Sequence, residues 1–537
     1  MKTKYLWILM VLIGLTACEN DDEGNVIVPE VELTAGSADF TNYVSIGNSL
    51  TAGFMDNALF QAGQTTSIPN LLAQKFSLVG GGAFTQPLMN DNVGGLLFGG
   101  VPNPAFGPRL FINPLTLAIG AVDGVPTTEV FAPSGGPYNN LGVPGAKSFH
   151  LLFDGYGNPG NLALDPPEAN PYYVRMASAP NATILGDALA QAPTFFSLWI
   201  GNNDVLGYAT TGGDGSNEIT PSDGPPGIGF NETYAAIIAT LTSTGAQGVV
   251  ANIPDVTALP FFTAVPYDAL DPSNEDFADQ IPLLNTIYGA LNDVYAVLQV
   301  TGRDVSFSDD NPNPVVIKDE SLQDLSAQIA AVLNMSPDFP AFIGQFGLPP
   351  AAAPLVANLL GITYGQARQA TENDLLVLTS SSVIGTVNSE NAAFLQSAGL
   401  PAELAAQFSA EGVSLPLGDK WVLLPSEQLE VKTATDNFNG VIQSTVQAAG
   451  LAFVDANSFL NELADSGLSF GDFTLTADLV LGGAFSLDGV HPNSRGYSVG
   501  ANAFMRAIDA TYGSNFEESG NFYDPGDFPT NYPESLQ

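Results

Sequence analysis

At 537 residues and a formal net charge of −42, from 55 acidic against 13 basic side chains, the chain repels phosphate backbones, which argues against nucleic acid as a partner. Hydrophobic residues are 45% and charged ones 13%, with 56 Gly and 39 Pro, a balance that excludes a disordered chain and fits a loop-rich globular protein with a solvated acidic surface. No run carries the spaced carboxylates of a helix-loop-helix calcium site.

Lys2 and Lys4, the apolar stretch from Tyr5 to Leu15 and the small residues before Cys18 have the form of a signal peptide over residues 1–17, too short to span a bilayer comfortably. Residues 15–18, LTAC, resemble the lipobox of bacterial lipoproteins, which implies that Cys18 is acylated and becomes the first mature residue. Cys18 is the only cysteine, so no internal disulfide can form. Residues 18–38 open with acids from Glu19 to Glu23 and have no helical or strand period, and they read as an acidic flexible tether. A short acidic stretch behind a lipidated cysteine also resembles the signal that sends some lipoproteins to the cell surface, a plain solvated linker being the alternative. The expected location is the outer membrane, lipid-anchored, on its periplasmic or cell-surface face.

Beyond the tether, short apolar runs alternate with longer helical patterns, which predicts an α/β domain with a mostly parallel sheet over residues 39–516. The predicted strands are Tyr43 to Ile46, Thr194 to Ile200, Gly248 to Ile253 and Leu451 to Val454. Helices covering the sheet are predicted at Tyr234 to Leu241, Ile281 to Leu298 and Phe438 to Ala448, closed by Gly245, Gly302 and Gly450, with a last one from about Gly496 to Tyr512. Two insertions interrupt the domain. The first, at about 80–137, is dense in Gly, Pro, Phe and Asn and reads as an irregular excursion walling the site. The second, at about 311–419, has helical patterns at Leu322 to Leu333 and Ala351 to Leu360, with Pro349, Pro350 and Pro354 arguing against a membrane span. Residues 517–537 read as an acidic, aromatic surface strap.

Ser49 follows the first predicted strand in Gly47-Asn48-Ser49-Leu50, a turn that can lift a hydroxyl to the carboxyl edge of a parallel sheet, although these are also ordinary turn residues. A serine nucleophile needs a base, and the chain has two histidines. His491 stands three residues after Asp488, a spacing that lets a carboxylate hold one ring nitrogen while the other faces the serine. His150 has no acid close in sequence and reads as structural or solvated. With one cysteine and no paired-histidine spacing, neither a metal nor a cofactor is expected, a carboxylate-only site being the alternative. Donors for a developing oxyanion can come from Gly145, in the run Asn140 to Gly145, and from Asn203, in Gly201-Asn202-Asn203-Asp204.

In chain order these segments resemble the four blocks of the SGNH hydrolases, also called the GDSL esterase and lipase family, across nearly the whole mature chain. GNSL at Gly47 to Leu50, Gly145, GNND at Gly201 to Asp204 and DGVHP at Asp488 to Pro492 stand where that family has its motifs. The resemblance implies Ser49 as nucleophile, His491 as general base and Asp488 as its orienting acid. It further implies an oxyanion hole from the backbone amides of Ser49 and Gly145 and the side-chain amide of Asn203. The family fold would be a flavodoxin-like three-layer α/β/α sandwich of five parallel strands, the second short and near Tyr138 to Gly142. The chain departs from the family at Asn48, where Asp is the usual residue, and in its two large insertions.

The expected activity is therefore ester hydrolysis, lipolytic or of the carboxylesterase kind, on a substrate with an apolar acyl group, with the apolar segment Phe339 to Leu360 able to line an acyl pocket or simply to pack a core. Two other readings compete. One is a carbohydrate O-deacetylase; the other is a surface lipoprotein that binds apolar ligands or an outer-membrane partner and keeps only a vestigial site.

Overall fold

The computed structural model describes residues 31–537 except Pro133 and Asp472, so the signal peptide, Cys18 and most of the tether lie outside the described residues. Five parallel strands form the central sheet: β1 (Tyr43–Gly47), β2 (Asn140–Gly142), β3 (Phe195–Trp199), β4 (Gln247–Ala251) and β5 (Ala452–Val454). Their order is β2-β1-β3-β4-β5. The winding direction reverses between β1 and β3, and such a switch point opens a crevice outside the carboxyl ends of the strands.

Side chains alternate across each strand, so one register serves two cores. Val44, Ile46, Phe196, Leu198 and Val250 face one way, while Tyr43, Phe195, Val249 and Ala251 face the other. Burial on both faces explains why the strands read as mostly apolar runs, interrupted only by Ser45 and Ser197 in β1 and β3. Helix α1 (Ile68–Ser77) and the C-terminal α9 (Ser494–Tyr512) cover the second face through Leu72, Phe76, Tyr497 and Met505. Helices α2 (Asn203–Thr210), α3 (Phe230–Thr242) and α7 (Pro425–Ala448) cover the first. Helix α7 begins 13 residues before the amphipathic stretch that marks it in sequence, at Pro425 in its first turn. Its first half buries little beyond Val431 and Thr435, which is why the apolar period starts so late.

The helix predicted over Ile281–Leu298, α4, has those bounds but does not cover the sheet. It packs with α5 (Ser326–Met335) and α6 (Ala353–Tyr364) into a second core that runs from Val265 to Leu424, wider than the 311–419 interruption read from sequence. An apolar stripe specifies that a face is buried, not what buries it. Gln299, at φ +57°, ends α4 ahead of Gly302. Residues 80–137 form two short hairpins and irregular chain, with Met89, Leu96 and Val130 packed on Ala52, Leu59 and Tyr172.

Both ends of the described residues are fastened to α9. The tether's last residues are docked, not loose: Ser37 donates to the Tyr512 carbonyl through its backbone amide (2.8 Å) and Oγ (3.0 Å). The terminal segment lies against the second face through Phe522, Tyr523, Phe528 and Tyr532. Its end is clamped by the fully buried Arg109, which donates to the carbonyls of Tyr532, Pro533 and Leu536. No helix among the described residues is long and apolar enough to cross a membrane.

Candidate active site

Ser49 opens a single helical turn, Ser49–Ala52, directly after β1. The turn is started by Asn48, whose Oδ1 accepts from the Leu50 amide at 3.0 Å, while its Nδ2 donates to Asn202 Oδ1 at 3.1 Å. This pairing joins the loops leaving β1 and β3 at the switch point. Ser49 is 7% exposed, and its Oγ lies 2.8 Å from His491 Nε2. His491 Nδ1 lies 3.0 Å from Asp488 Oδ2. Serine, histidine and carboxylate thus form one continuous hydrogen-bonded chain across 442 residues of sequence.

The acid and base sit in a closed loop. Asp488 Oδ1 accepts from the amides of Val490 (2.9 Å) and His491 (2.8 Å), and the Ser486 amide donates to the His491 carbonyl at 2.8 Å. Gly489, at φ +72°, is needed at the tip because a Cβ there would meet Phe261 N and Leu378 Cδ2 at 3.0 Å. Phe54 packs on the imidazole with ring centroids 4.7 Å apart. Burial alone would raise the Asp488 carboxyl, but the charge and hydrogen bond of His491, with the His491 and Asn57 amides, outweigh it and bring it down to about 2. Asp488 therefore stays ionised and can hold the ring with Nδ1–H toward itself, leaving Nε2 free to accept the serine proton.

Gly145 lies in the loop after β2, exposed and at φ +82°, and Asn203 begins α2 after β3. The loops are tied together: Asn203 Nδ2 donates to the Ala146 carbonyl at 2.9 Å, and the buried Asp204 accepts from Ser148 N (2.8 Å) and Oγ (2.7 Å). Among the described residues the backbone amides of Ser49 and Gly145 have no protein acceptor, so both remain available to a ligand. Asn203 lines the cavity beside Ser49 and His491; Gly145 does not.

His150 stands apart from this group. Its Nδ1 accepts from the Lys147 amide at 3.0 Å, its ring stacks on Tyr156 at 4.2 Å, and burial, with Lys147 nearby, pushes it down to about 4. It is a neutral packing residue at neutral pH. Among the described residues, no group of three or more His, Cys, Asp or Glu is arranged to hold a metal ion.

The cavity at the serine, of about 110 Å³, is walled by Trp199, Val256, Leu460, Leu475 and Ala503 among others, with none of its lining from residues 80–137 or 339–360. The first excursion is therefore not a wall of this cavity, and the apolar segment Phe339 to Leu360 packs the second core and a separate crevice there.

Sequence reasoning missed Asp56 and Asn57, which grip the acid loop. Both have positive φ, +52° and +63°; Asp56 N donates to Ser486 Oγ, its Oδ1 accepts from Leu487 N, and Asn57 N donates to Asp488 Oδ2, each at 3.0 Å. Their only local signal is that Asp and Asn tolerate left-handed backbone better than other side chains.

No protein-family model, curated protein or solved structure matches the chain.

Proposed function

We propose that the protein is a serine ester hydrolase of the SGNH type, built on a flavodoxin-like sandwich with two large insertions and working through an acyl-enzyme. One observation carries the reading: Ser49, His491 and Asp488, brought from opposite ends of the chain, stand in hydrogen-bond order at the carboxyl edge of the sheet, 2.8 Å and 3.0 Å apart. Support also comes from the unoccupied amides of Ser49 and Gly145 and from the cavity that opens beside Ser49.

In the first step Ser49 Oγ bonds to the ester carbonyl carbon as His491 Nε2 takes its proton. The tetrahedral oxyanion is held by the amides of Ser49 and Gly145 and by Asn203, and collapse breaks the carbon–alkoxy bond as His491 returns the proton to the leaving alcohol. Water, deprotonated by His491, then attacks the acyl-serine. The carboxylic acid leaves and Ser49 regains its proton, so no external reductant, oxidant or metal is consumed. Acylation at Cys18 would hold this domain at the outer membrane, on its periplasmic or cell-surface side.

The test is a fluorophosphonate probe with p-nitrophenyl acetate turnover. The native chain is expected to be labelled and active, and Ser49→Ala to be neither; a Ser49→Ala protein that is still labelled sinks the assignment.

A further inference from the structure

We infer that the cavity behind Ser49 is an acyl slot for a linear hydrocarbon chain, so that the ester substrate is that of an unbranched fatty acid and not an acetate. The inference rests on the esterase reading for its catalytic meaning but on the cavity itself for its chemistry. The space runs along the carboxyl ends of β3, β4 and β5, beneath α8 (Ala456–Asp465) and the first turns of α9. Polar groups collect at one end: Ser49, His491, Asn48, Asn202 and Asn203. The rest of the lining is almost wholly aliphatic and aromatic, from Leu460 and Leu463 on α8 to Val499 and Phe504 on α9.

The one polar atom of Trp199 is turned out of play, because Nε1 donates to the Asn252 carbonyl at 3.0 Å. What Trp199 offers the cavity is ring surface. A sugar, an acetyl group with its water, or a polar alcohol would lose its hydrogen bonds there without replacement, whereas each methylene would leave water for a preformed apolar wall. At about 110 Å³ the space is smaller than a dry cavity of roughly 150 Å³ that accepts a benzene ring, so it takes about four to six carbons of a single chain and excludes a fused-ring lipid. The serine sits at its polar end, so the chain inside belongs to the group that becomes bonded to Ser49.

Two measurements test this, one independent of turnover. The chain has three tryptophans, so Trp7→Phe with Trp421→Phe leaves Trp199 as the sole emitter. In that background 6-bromohexanoate is expected to quench Trp199 saturably and free bromide ion not to. Ala503→Phe and Ala456→Phe, which fill the slot from α9 and α8, should each weaken the quenching at least ten-fold. In the second measurement, kcat/KM for p-nitrophenyl esters should rise about four-fold per added methylene until the slot is full. Each Phe variant should lower the hexanoate-to-acetate ratio of kcat/KM at least ten-fold, while alkyl acetates, with the chain on the alcohol, show no such rise.

Absence of Trp199 quenching, or a rate highest with acetate, overturns the acyl slot even when Ser49 is labelled and turns over acetate. A chain-length effect confined to the alkyl acetates also overturns it, by placing the alcohol in the cavity. Saturable quenching by a protein whose Ser49 is not labelled keeps the hydrocarbon site and removes the esterase reading alone.

Discussion

Asn57 donates its backbone amide to Asp488 Oδ2 at 3.0 Å, and this is the oxygen that His491 Nδ1 faces. The turn just beyond Ser49 therefore holds the carboxylate that faces His491, and Asp56 grips the neighbouring Leu487 amide at the same time. The two halves of the site are fastened by backbone as well as by the serine–histidine contact.

Asn57→Gly keeps that amide and suits φ +63°, so labelling by a fluorophosphonate should stay near the native rate. Asn57→Val forces a β-branched side chain into left-handed backbone and is expected to cost about 1–3 kcal/mol, read as a lower Tm. Asp488→Asn presents an amide to Nδ1 and favours the wrong tautomer; kcat should fall roughly 10³- to 10⁴-fold while the Ser49 side chain is intact.

Asp56 gives a pH signature. Burial raises its carboxyl, the Leu487 amide opposes this, Asp488 raises it further and Arg109 opposes; the result is about 7 against an ordinary 3.8. A raised acid favours the folded state when protonated, so its contribution is fully present below about pH 4 and is lost as pH rises to about 7. Asp56→Asn removes this dependence. The variant's stability minus that of the native chain should increase between pH 4 and pH 8, by up to about 4 kcal/mol if the whole shift is realised. Urea melts at the two pH values measure it, and an unchanged difference would show that Asp56 titrates normally. Asp488, held low, acts oppositely: its contribution fades as pH falls from about 4 toward 2.

Arg109 is fully buried, stacks on Phe60 at 5.2 Å and gives its hydrogen bonds to backbone carbonyls, three of them in the last six residues. Arg109→Met leaves these acceptors unpaired and should destabilise by about 3 kcal/mol or more. The same variant should release residues 517–537 to limited proteolysis, detected as a shortened chain by mass spectrometry. A tail that stays protected would mean that Tyr523 and Phe528 hold it unaided.

At Asn48 the prediction separates chemistry from shape. Asn202 Nδ2 is buried and has no partner among the described residues, while its Oδ1 accepts from Asn48 Nδ2. In Asn48→Asp the Asn202 amide can turn over and give that idle N–H to the new carboxylate, while the cap on Leu50 N is kept. Tm should therefore move little. Asn48→Ala loses both bonds and should cost about 1–2 kcal/mol, with slower Ser49 labelling.

Much of this architecture is legible in the sequence because strands buried on both faces are mostly apolar runs, and β1, β3, β4 and β5 fall within two residues of where those runs predict them. The candidate triad is legible for a different reason: with two histidines and one of them beside an acid, the search has almost no alternatives. Composition and local spacing determine that much. What covers an apolar face is not local information, so the allegiance of α4 to the second core, the docking of residues 33–38 and the Arg109 clamp had no sequence period to announce them. The slot beside Ser49 is likewise assembled from Trp199, Leu460 and Val499, each an ordinary core residue in its own segment. Only when the sheet edge, α8 and α9 close together does the space between them acquire a shape, and that shape, with the Asp56–Asn57 grip on Asp488, belongs to the tertiary structure alone.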